Sequence, residues 1–341
     1  MTATGFMRTI VEVRGLKAYY SLLGQFSNRE KRRWIRAVDN VFLEIYDNEI
    51  LGIAGESGCG KSTLIRALYG AIEPPLNIVD GEIHYKLDGN EITINKEKSS
   101  LWRIKSMWGK FMVYLPQGSM HVLNPTKRIY EEFLDVLRTH IREYSDMSKD
   151  EILEAIEDYL SRLGLPVEVL KSYPHQLSGG MRQRTVIALS TILKPRIIFA
   201  DEPTTALDVV NQAATLQLLE KIQQERKCSL VIVSHDMGVH AQICRRIAIM
   251  YAGKIVEVGP VNKIFEEPLH PYTRFLINSL PRIGDKSRRH GIGGAPPSLA
   301  NPPNGCRFHP RCPYAREICK EKEPPLARVN TNHHVACHQV N

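Results

Sequence analysis

The sequence predicts an α/β fold with a parallel sheet at its centre. Three observations carry this. Residues 49–54 form an apolar, strand-like run, and 63–68 read as the start of a helix. Residues 196–200 and 229–233 are compact apolar runs of the kind buried on both faces in parallel sheets. Residues 213–226, between those two, read as a helix, so strand and helix alternate as in crossover units.

Taken in order, residues 8–54 hold short β-rich runs at 8–13, 41–45 and 49–54. A further buried strand is expected at 111–115, ending at Pro116-Gln117. From 129 to 164 the pattern is helical. Ile152, Ile156, Tyr159, Leu160 and Leu163 recur at helical spacing with acids between them, which predicts an amphipathic core face. Residues 246–250 and 254–258 read as a hairpin turning at Ala252-Gly253. Past Pro260 the character changes. Residues 283–305 are rich in Gly, Pro and Arg and read as a linker, and 306–341 carry few apolar residues.

The chain has 341 residues, is 43% hydrophobic and carries a net charge of +8. Its first residues lack the apolar core of a signal peptide, and no stretch has the length of a membrane span. A cytosolic protein able to sit on a membrane partner is expected. The densest basic patch is Arg29, Lys31, Arg32, Arg33 and Arg36 around Trp34, read as a solvated insertion between two strands, with a lipid- or partner-facing patch as the alternative.

The strand–loop–helix at 49–68 encloses Gly55-Glu56-Ser57-Gly58-Cys59-Gly60-Lys61-Ser62-Thr63, which fits G-x-x-x-x-G-K-[ST]. Glycines let the backbone wrap an anion, and the helix N-terminus adds N–H donors. Lys61 is expected on the β- and γ-phosphates of ATP and Ser62 on Mg²⁺. Hydrolysis needs a second carboxylate for the metal and a group to activate water. Asp201 and Glu202, at the end of the apolar run 197–200, supply both: Asp201 for Mg²⁺, Glu202 as general base. Ser178-Gly179-Gly180 places a hydroxyl and two glycines at a helix start, a second anion site. Cys59, Cys228 and Cys244 stand apart and read as small buried apolar residues.

With Leu177-Ser178-Gly179-Gly180-Met181-Arg182-Gln183 lying between the P-loop and the Asp-Glu pair, the chain resembles the ATP-binding cassette (ABC) ATPases. The resemblance implies a parallel-sheet core, an antiparallel β subdomain and an α-helical subdomain. It also implies a head-to-tail dimer in which Ser178, Gly179 and Gly180 bind the γ-phosphate held by the partner. Gln117 resembles the Q-loop glutamine that senses Mg²⁺, and Ala206-Leu207-Asp208 resembles the D-loop at the dimer seam. Ser234-His235-Asp236 resembles the switch motif, with His235 on the γ-phosphate. Tyr19 or Tyr20 is the aromatic expected on adenine.

Outside these motifs, Gly118-Ser119-Met120-His121-Val122-Leu123-Asn124-Pro125, Ser172-Tyr173-Pro174-His175-Gln176, the segment ADEPTTALDV (200–209), Met250-Tyr251-Ala252-Gly253 and His270-Pro271-Tyr272-Thr273 are similar to the ATPase subunits of oligopeptide/dipeptide importers. One departure is Gly118-Ser119, where that family usually has Asp-Pro. The resemblance implies an ABC-type nucleotide-binding domain over 8–260 and an oligopeptide-transporter-type C-terminal domain over 261–341. It implies a second ATPase subunit, two transmembrane permease subunits and an extracytoplasmic solute-binding protein, with the chain peripheral on the cytoplasmic face of the membrane. Relatives of the family carry nickel or oligosaccharides, so the cargo stays open between these and peptides. An ABC ATPase acting on nucleic acid is disfavoured, since there is no second P-loop, coiled-coil arm or nucleic-acid module.

Cys306, Cys312, Cys319 and Cys337 are spaced C-x5-C-x6-C-x17-C. Four thiolates suit Zn²⁺ or an iron–sulfur cluster. The C-x2-4-C pairs usual for zinc are absent, and some members of the resembled family hold a 4Fe–4S cluster on these cysteines. A structural 4Fe–4S cluster is the expectation, with Zn²⁺, reduced thiols or disulfides as alternatives. His309, His333, His334 and His338 nearby read as surface residues.

Overall fold

The computed structural model describes residues 8–22, 33–87, 89–118, 122–280, 292–330 and 332–340. Arg29, Lys31, Arg32, Ser119–His121 and the first half of the expected linker lie outside these. Two compact units are present: one takes the chain up to Lys105 and again from Val233, the other runs Ser106–Ile232.

In the first unit an antiparallel sheet is ordered Arg33–Tyr46, Thr9–Leu22, Leu76–Leu87, Asn90–Ile94. The strands are longer than the apolar runs suggested. Side chains on alternating faces let Val11, Val13, Val38, Val41, Leu43 and Ile45 be buried while polar neighbours face water. Ile50–Ala54, entirely buried, pairs in parallel with Arg246–Tyr251, Ile53 opposite Ala248. Arg246–Tyr251 then turns back into Lys254–Pro260, the expected hairpin. His333–Val335 and Ala327–Asn330 extend this edge antiparallel, so the end of the chain joins the same sheet.

The C-terminal part corrects one expectation. Among the described residues no group of three or more His, Cys, Asp or Glu is placed to hold a metal ion, so the 4Fe–4S cluster expected at Cys306, Cys312, Cys319 and Cys337 is not supported, nor is Zn²⁺. All four cysteines are free. Spacing along the chain does not set where the sulfurs stand: the four line one cavity, yet no three of them are placed to share one ion. Burial pushes the Cys306 thiol up to about 11 and raises those of Cys312 and Cys337.

Other contacts supply cohesion. Phe308, 1% exposed, stands edge-on to Tyr251 at 5.2 Å and lies 5.5 Å from Tyr272 between ring centroids. Such pairs prefer tilted and edge-to-face geometry. Arg307 is buried against Asp39 and the Ala252 carbonyl. The fully buried Glu257 carboxylate accepts from Leu269 N (2.8 Å), His270 N (2.9 Å) and His333 Nε2 (2.8 Å). Burial alone would raise its pKa, but these donors outweigh it and the pKa lies below the usual carboxylate range. His333 is thus buried (3% exposed), unlike the surface residue expected.

Two further histidines give this unit an acid sensitivity. His240 and His270 are buried, and burial lowers each pKa to about 4 from 6.5. The unfolded chain protonates these rings near pH 6.5 and the folded chain only near 4. Stability should therefore be full above pH 6.5, fall as pH drops from 6.5 towards 4, and gain nothing more from these rings below that. Urea unfolding at successive pH values should show this loss, and His240→Gln or His270→Gln should flatten part of it.

In the second unit Met112–Leu115 and Ile197–Asp201 are parallel, with Leu115 opposite Ala200, and Ser229–Val233 lies beyond Ile197–Asp201. Helices Ile129–His140, Lys149–Leu163, Gly179–Thr191 and Val209–Arg226 accompany them. The stretch 129–164 is two helices rather than one continuous pattern. Ser148 accepts from Glu151 N, and the Glu151 carboxylate returns to Ser148 N, a capping box that starts a new helix. Ile152, Ile156, Tyr159, Leu160 and Leu163 are buried as their spacing predicts.

Candidate active site

The P-loop follows Ile50–Ala54 and runs into helix Lys61–Tyr69. Gly60 is its N-cap at φ 111°, a left-handed backbone that side chains rarely adopt. A Cβ there would also lie 2.0 Å from the Ala37 carbonyl oxygen. Only glycine fits on both counts. Lys61 is 5% exposed and its ammonium donates to the carbonyls of Gly55 (2.8 Å) and Glu56 (3.0 Å). A buried cation held by neutral carbonyls, at a helix N-terminus ringed by glycine, fits a polyphosphate. Ser57 and Gly58 are exposed, so the loop is open to a ligand, and Thr63 is buried one turn into the helix. Cys59 is buried and burial raises its thiol pKa, as a small apolar residue of the loop.

Two contacts that the sequence did not signal fix this loop. Arg311 Nη1 and Nη2 fork onto the Glu56 carboxylate at 2.8 and 3.1 Å. Its remaining donors reach Tyr251 Oη (3.2 Å) and the Gly293 carbonyl (2.9 Å). The Glu56 hydrogen bond, chiefly, raises the Arg311 pKa above its ordinary value. Tyr272 Oη, fully buried, accepts from Glu56 N at 2.9 Å. A side chain 255 positions downstream thus anchors the phosphate loop. Charge-assisted bonds contribute about 1.5–3 kcal/mol each, and this pair is largely shielded from water. Arg311→Ala should therefore weaken ATP binding about tenfold, raising KM more than it lowers kcat, with a lower Tm. Wild-type affinity in that variant would show the fork to be irrelevant to the loop.

Of the two tyrosines, Tyr20 reaches this helix: its hydroxyl lies 3.2 Å from Thr63 Oγ1. Tyr19, pointing to the other face of the strand, donates to Asp39 at 2.5 Å and stands edge-on to Trp34.

His235 follows Ser229–Val233 and is exposed, while the backbone around it is gripped. Ser234 Oγ accepts from Asp236 N (3.0 Å), and Asp236 caps helix Met237–Ile243 through Gly238 N (2.8 Å). His240 Nε2 lies 3.1 Å from the Ser234 carbonyl. A carbonyl only accepts, so the proton is on Nε2. His240 has room because residue 52 is glycine: a Cβ there would come within 2.4 Å of its ring.

In the second unit, parallel register brings two predicted residues together. Gln117 and Glu202 each lie two positions past the registered pair Leu115 and Ala200, so both leave the same end of adjacent strands. Gln117 Nε2 donates to Glu202 Oε2 at 3.2 Å, and Thr205 Oγ1 donates to the same oxygen at 2.8 Å. Glu202 sits at φ 50°, a turn that directs its side chain off the strand end. Asp201 is 1% exposed, and Tyr114 Oη donates to its carboxylate at 3.0 Å. Gln117 and Asp201 offer an amide oxygen and a carboxylate, hard oxygen donors of the kind Mg²⁺ takes.

Ser178 caps helix Gly179–Thr191, accepting from Met181 N at 3.2 Å, and Ser178 and Gly179 are exposed. Asp208 caps Val209–Arg226 and also accepts from Asn211 Nδ2 at 2.6 Å. Those two bonds from Asn211 lower the Asp208 pKa. Gly180 packs on Asn211 so closely that a Cβ would lie 2.0 Å from its Oδ1. The Ser-Gly-Gly turn and Asp208 are therefore locked together. Tyr114, Asn211, His240 and Arg311 each support one of these segments, and none belongs to a recognisable motif.

Comparisons with known proteins identify the family. A family model described as ABC transporter matches residues 38–205, and one described as oligopeptide/dipeptide transporter, C-terminal region, matches 256–319. The chain is 40% identical to the dipeptide transport ATP-binding protein DppD of Caldanaerobacter subterraneus subsp. tengcongensis over 97% of both chains. It is 37% identical to the oligopeptide transport ATP-binding protein AppF of Bacillus subtilis over 99% of both. Among solved structures, the dimeric post-hydrolysis ATP-binding cassette MJ0796 bound to ADP and Pi shares 26% identity, with a TM-score of 0.58 over 74% of this chain and 99% of that one. The fold also matches cbiO1 of Clostridium perfringens, with a TM-score of 0.59 over 76% of this chain and 92% of that one, at 21% identity. With matches spanning both its cassette and its C-terminal part, the chain belongs to the ATP-binding subunits of the oligopeptide/dipeptide ABC transporter family.

Proposed function

We propose that this chain hydrolyses ATP to power import of oligopeptides or dipeptides through a membrane ABC transporter. The observation that carries the cargo is the 256–319 match to the oligopeptide/dipeptide C-terminal region. In this reading the ABC-type domain spans 8–260 and the peptide-transporter C-terminal domain 261–341. Among the described residues no helix is long and apolar enough to cross a membrane. In this reading the chain is a peripheral subunit at the cytoplasmic face, beside two permease subunits fed by an extracytoplasmic solute-binding protein.

Lys61 and the loop N–H groups bind the β- and γ-phosphates. Ser62, Gln117 and Asp201 hold Mg²⁺, which neutralises phosphate charge when bound. Glu202 takes the proton of the water that attacks the γ-phosphorus, and Gln117 and Thr205 orient its carboxylate. His235 binds the γ-phosphate from a fixed backbone. Ser178, Gly179 and Gly180 of one chain close over the nucleotide of a second, with Asp208 at the seam, so hydrolysis reopens what ATP binding closes. Tyr20, the tyrosine that reaches the P-loop helix, is assigned to adenine.

The test is the ATPase rate of the membrane-embedded complex purified through this chain. Its binding protein is loaded from a peptide mixture, an oligosaccharide mixture or nickel. Stimulation by peptides alone is expected. Stimulation only by sugar or nickel would overturn the cargo and leave the site roles standing. Nucleic-acid stimulation with no permease copurifying would overturn the transport role.

A further inference from the structure

Two buried side chains with chemistry of their own stand behind the switch segment and take no part in handling ATP. His240, on helix Met237–Ile243, has no exposed surface, and Cys244, just past that helix, is buried. They face one another, with Cys244 Sγ 3.5 Å from His240 Nδ1. The other ring nitrogen, Nε2, lies 3.1 Å from the carbonyl oxygen of the buried Ser234. Gly52, on the strand that leads to the P-loop, makes room for both. A Cβ there would stand 2.4 Å from Nδ1 and 2.9 Å from Cys244 Sγ, and would push ring and thiol from their places.

The carbonyl end fixes where the protons sit. A carbonyl only accepts, so Nε2 carries the hydrogen and Nδ1 is an acceptor, which takes the thiol S–H of Cys244. Burial keeps both groups in these states. It lowers the ring pKa to about 4, against the pull of the Ser234 carbonyl and Asp236 and with the push of Lys61. It also raises the pKa of the thiol, as does the charge of Glu49. Ser234 is thereby held at three points. Its N–H donates to the Ile53 carbonyl (3.4 Å), its Oγ accepts from Asp236 N (3.0 Å), and its carbonyl accepts from His240. That carbonyl belongs to the peptide joining Ser234 to His235, whose own side chain is exposed.

We infer that His240 is a positioning residue for His235: the buried chain from Cys244 through the His240 ring to the Ser234 carbonyl fixes the peptide that aims His235 at the γ-phosphate. The inference rests on the role proposed above for His235. Removing the donor would orphan a buried carbonyl and let that peptide turn. The P-loop would keep its own contacts, so turnover should suffer rather than ATP binding.

The test uses the membrane-embedded complex purified through this chain. His240→Leu fills much of the same space without a donor, whereas His240→Gln can place an amide N–H near the position of Nε2. His240→Leu should lower kcat about tenfold or more, the worth of one buried hydrogen bond, with KM for ATP within about twofold of wild type. His240→Gln should recover most of kcat. Equal losses in the two variants, or a loss confined to KM, would overturn the proposal. His235→Ala separates it from the reading on which it rests. If that variant turns over at the wild-type rate, the role of His235 fails and the positioning with it. If it is slow while His240→Leu runs at the wild-type rate, the positioning alone fails. Should His240→Leu not fold, imidazole nitrogen NMR of the histidine-labelled full chain decides, with the His240 signal assigned by its loss in His240→Gln. A neutral ring protonated at Nε2 is expected at neutral pH. Protonation at Nδ1, or at both nitrogens, would overturn the proposal.

Discussion

Glu202→Gln is expected to cut steady-state ATPase activity by about 10²–10⁴-fold, the range for loss of a positioned general base, while ATP still binds. The neighbourhood explains the separation. Glu202 accepts from Gln117 and Thr205 through one oxygen, and an amide oxygen of the same size can keep both bonds. Fold and loop geometry therefore persist. What disappears is the capacity to take a proton. ATP should then be retained long enough for a closed dimer to accumulate, seen as a doubled mass by size-exclusion chromatography with light scattering in Mg-ATP. Wild-type turnover in this variant would remove Glu202 from the mechanism and leave the activation of water unassigned.

Lys61→Ala should act one step earlier, on binding. The ammonium has two duties: it ties the loop through the Gly55 and Glu56 carbonyls, and it supplies the only charge the P-loop motif itself aims at phosphate. One or two charge-assisted bonds of about 1.5–3 kcal/mol each correspond to about 10–10³-fold in affinity. Equilibrium titration with ATP should show this loss. The Tm should fall as well, because the carbonyls of Gly55 and Glu56 lose their donor. Unchanged affinity would argue against the loop as the phosphate site. The two variants are complementary, since one binds without turning over and the other fails to bind.

Much of this site is legible in the sequence because its chemistry is written in local spacing. The P-loop and the Asp201-Glu202 pair each follow an apolar strand, and the structure places each at a strand end. What could not be read is set by register and by distance along the chain. The bond between Gln117 and Glu202 follows from Leu115 standing opposite Ala200, and pairing of that kind leaves no mark on either segment alone. Strand Leu76–Leu87 is not legible because a left-handed Gly81 breaks its alternation: the buried positions shift phase from Leu76 and Ile78 to Ile83 and Tyr85. The cysteines failed for a related reason. Spacing counts residues between sulfurs but carries no information on where the folded backbone sets them. His333 was misjudged likewise, since only the buried Glu257, 76 positions away, explains its burial.

The fork between Arg311 and Glu56 also bears on when the protein becomes competent during its synthesis. A ribosome completes the P-loop and its helix early, but the guanidinium that grips the loop emerges 255 residues later. Until then the nascent cassette carries its phosphate loop without that anchor. Premature termination before position 311 would release a chain that retains every recognisable nucleotide motif yet lacks one of the restraints on its P-loop. Exchange of C-terminal segments between relatives would meet the same constraint, because a donor segment must bring a cation that fits the acid at position 56.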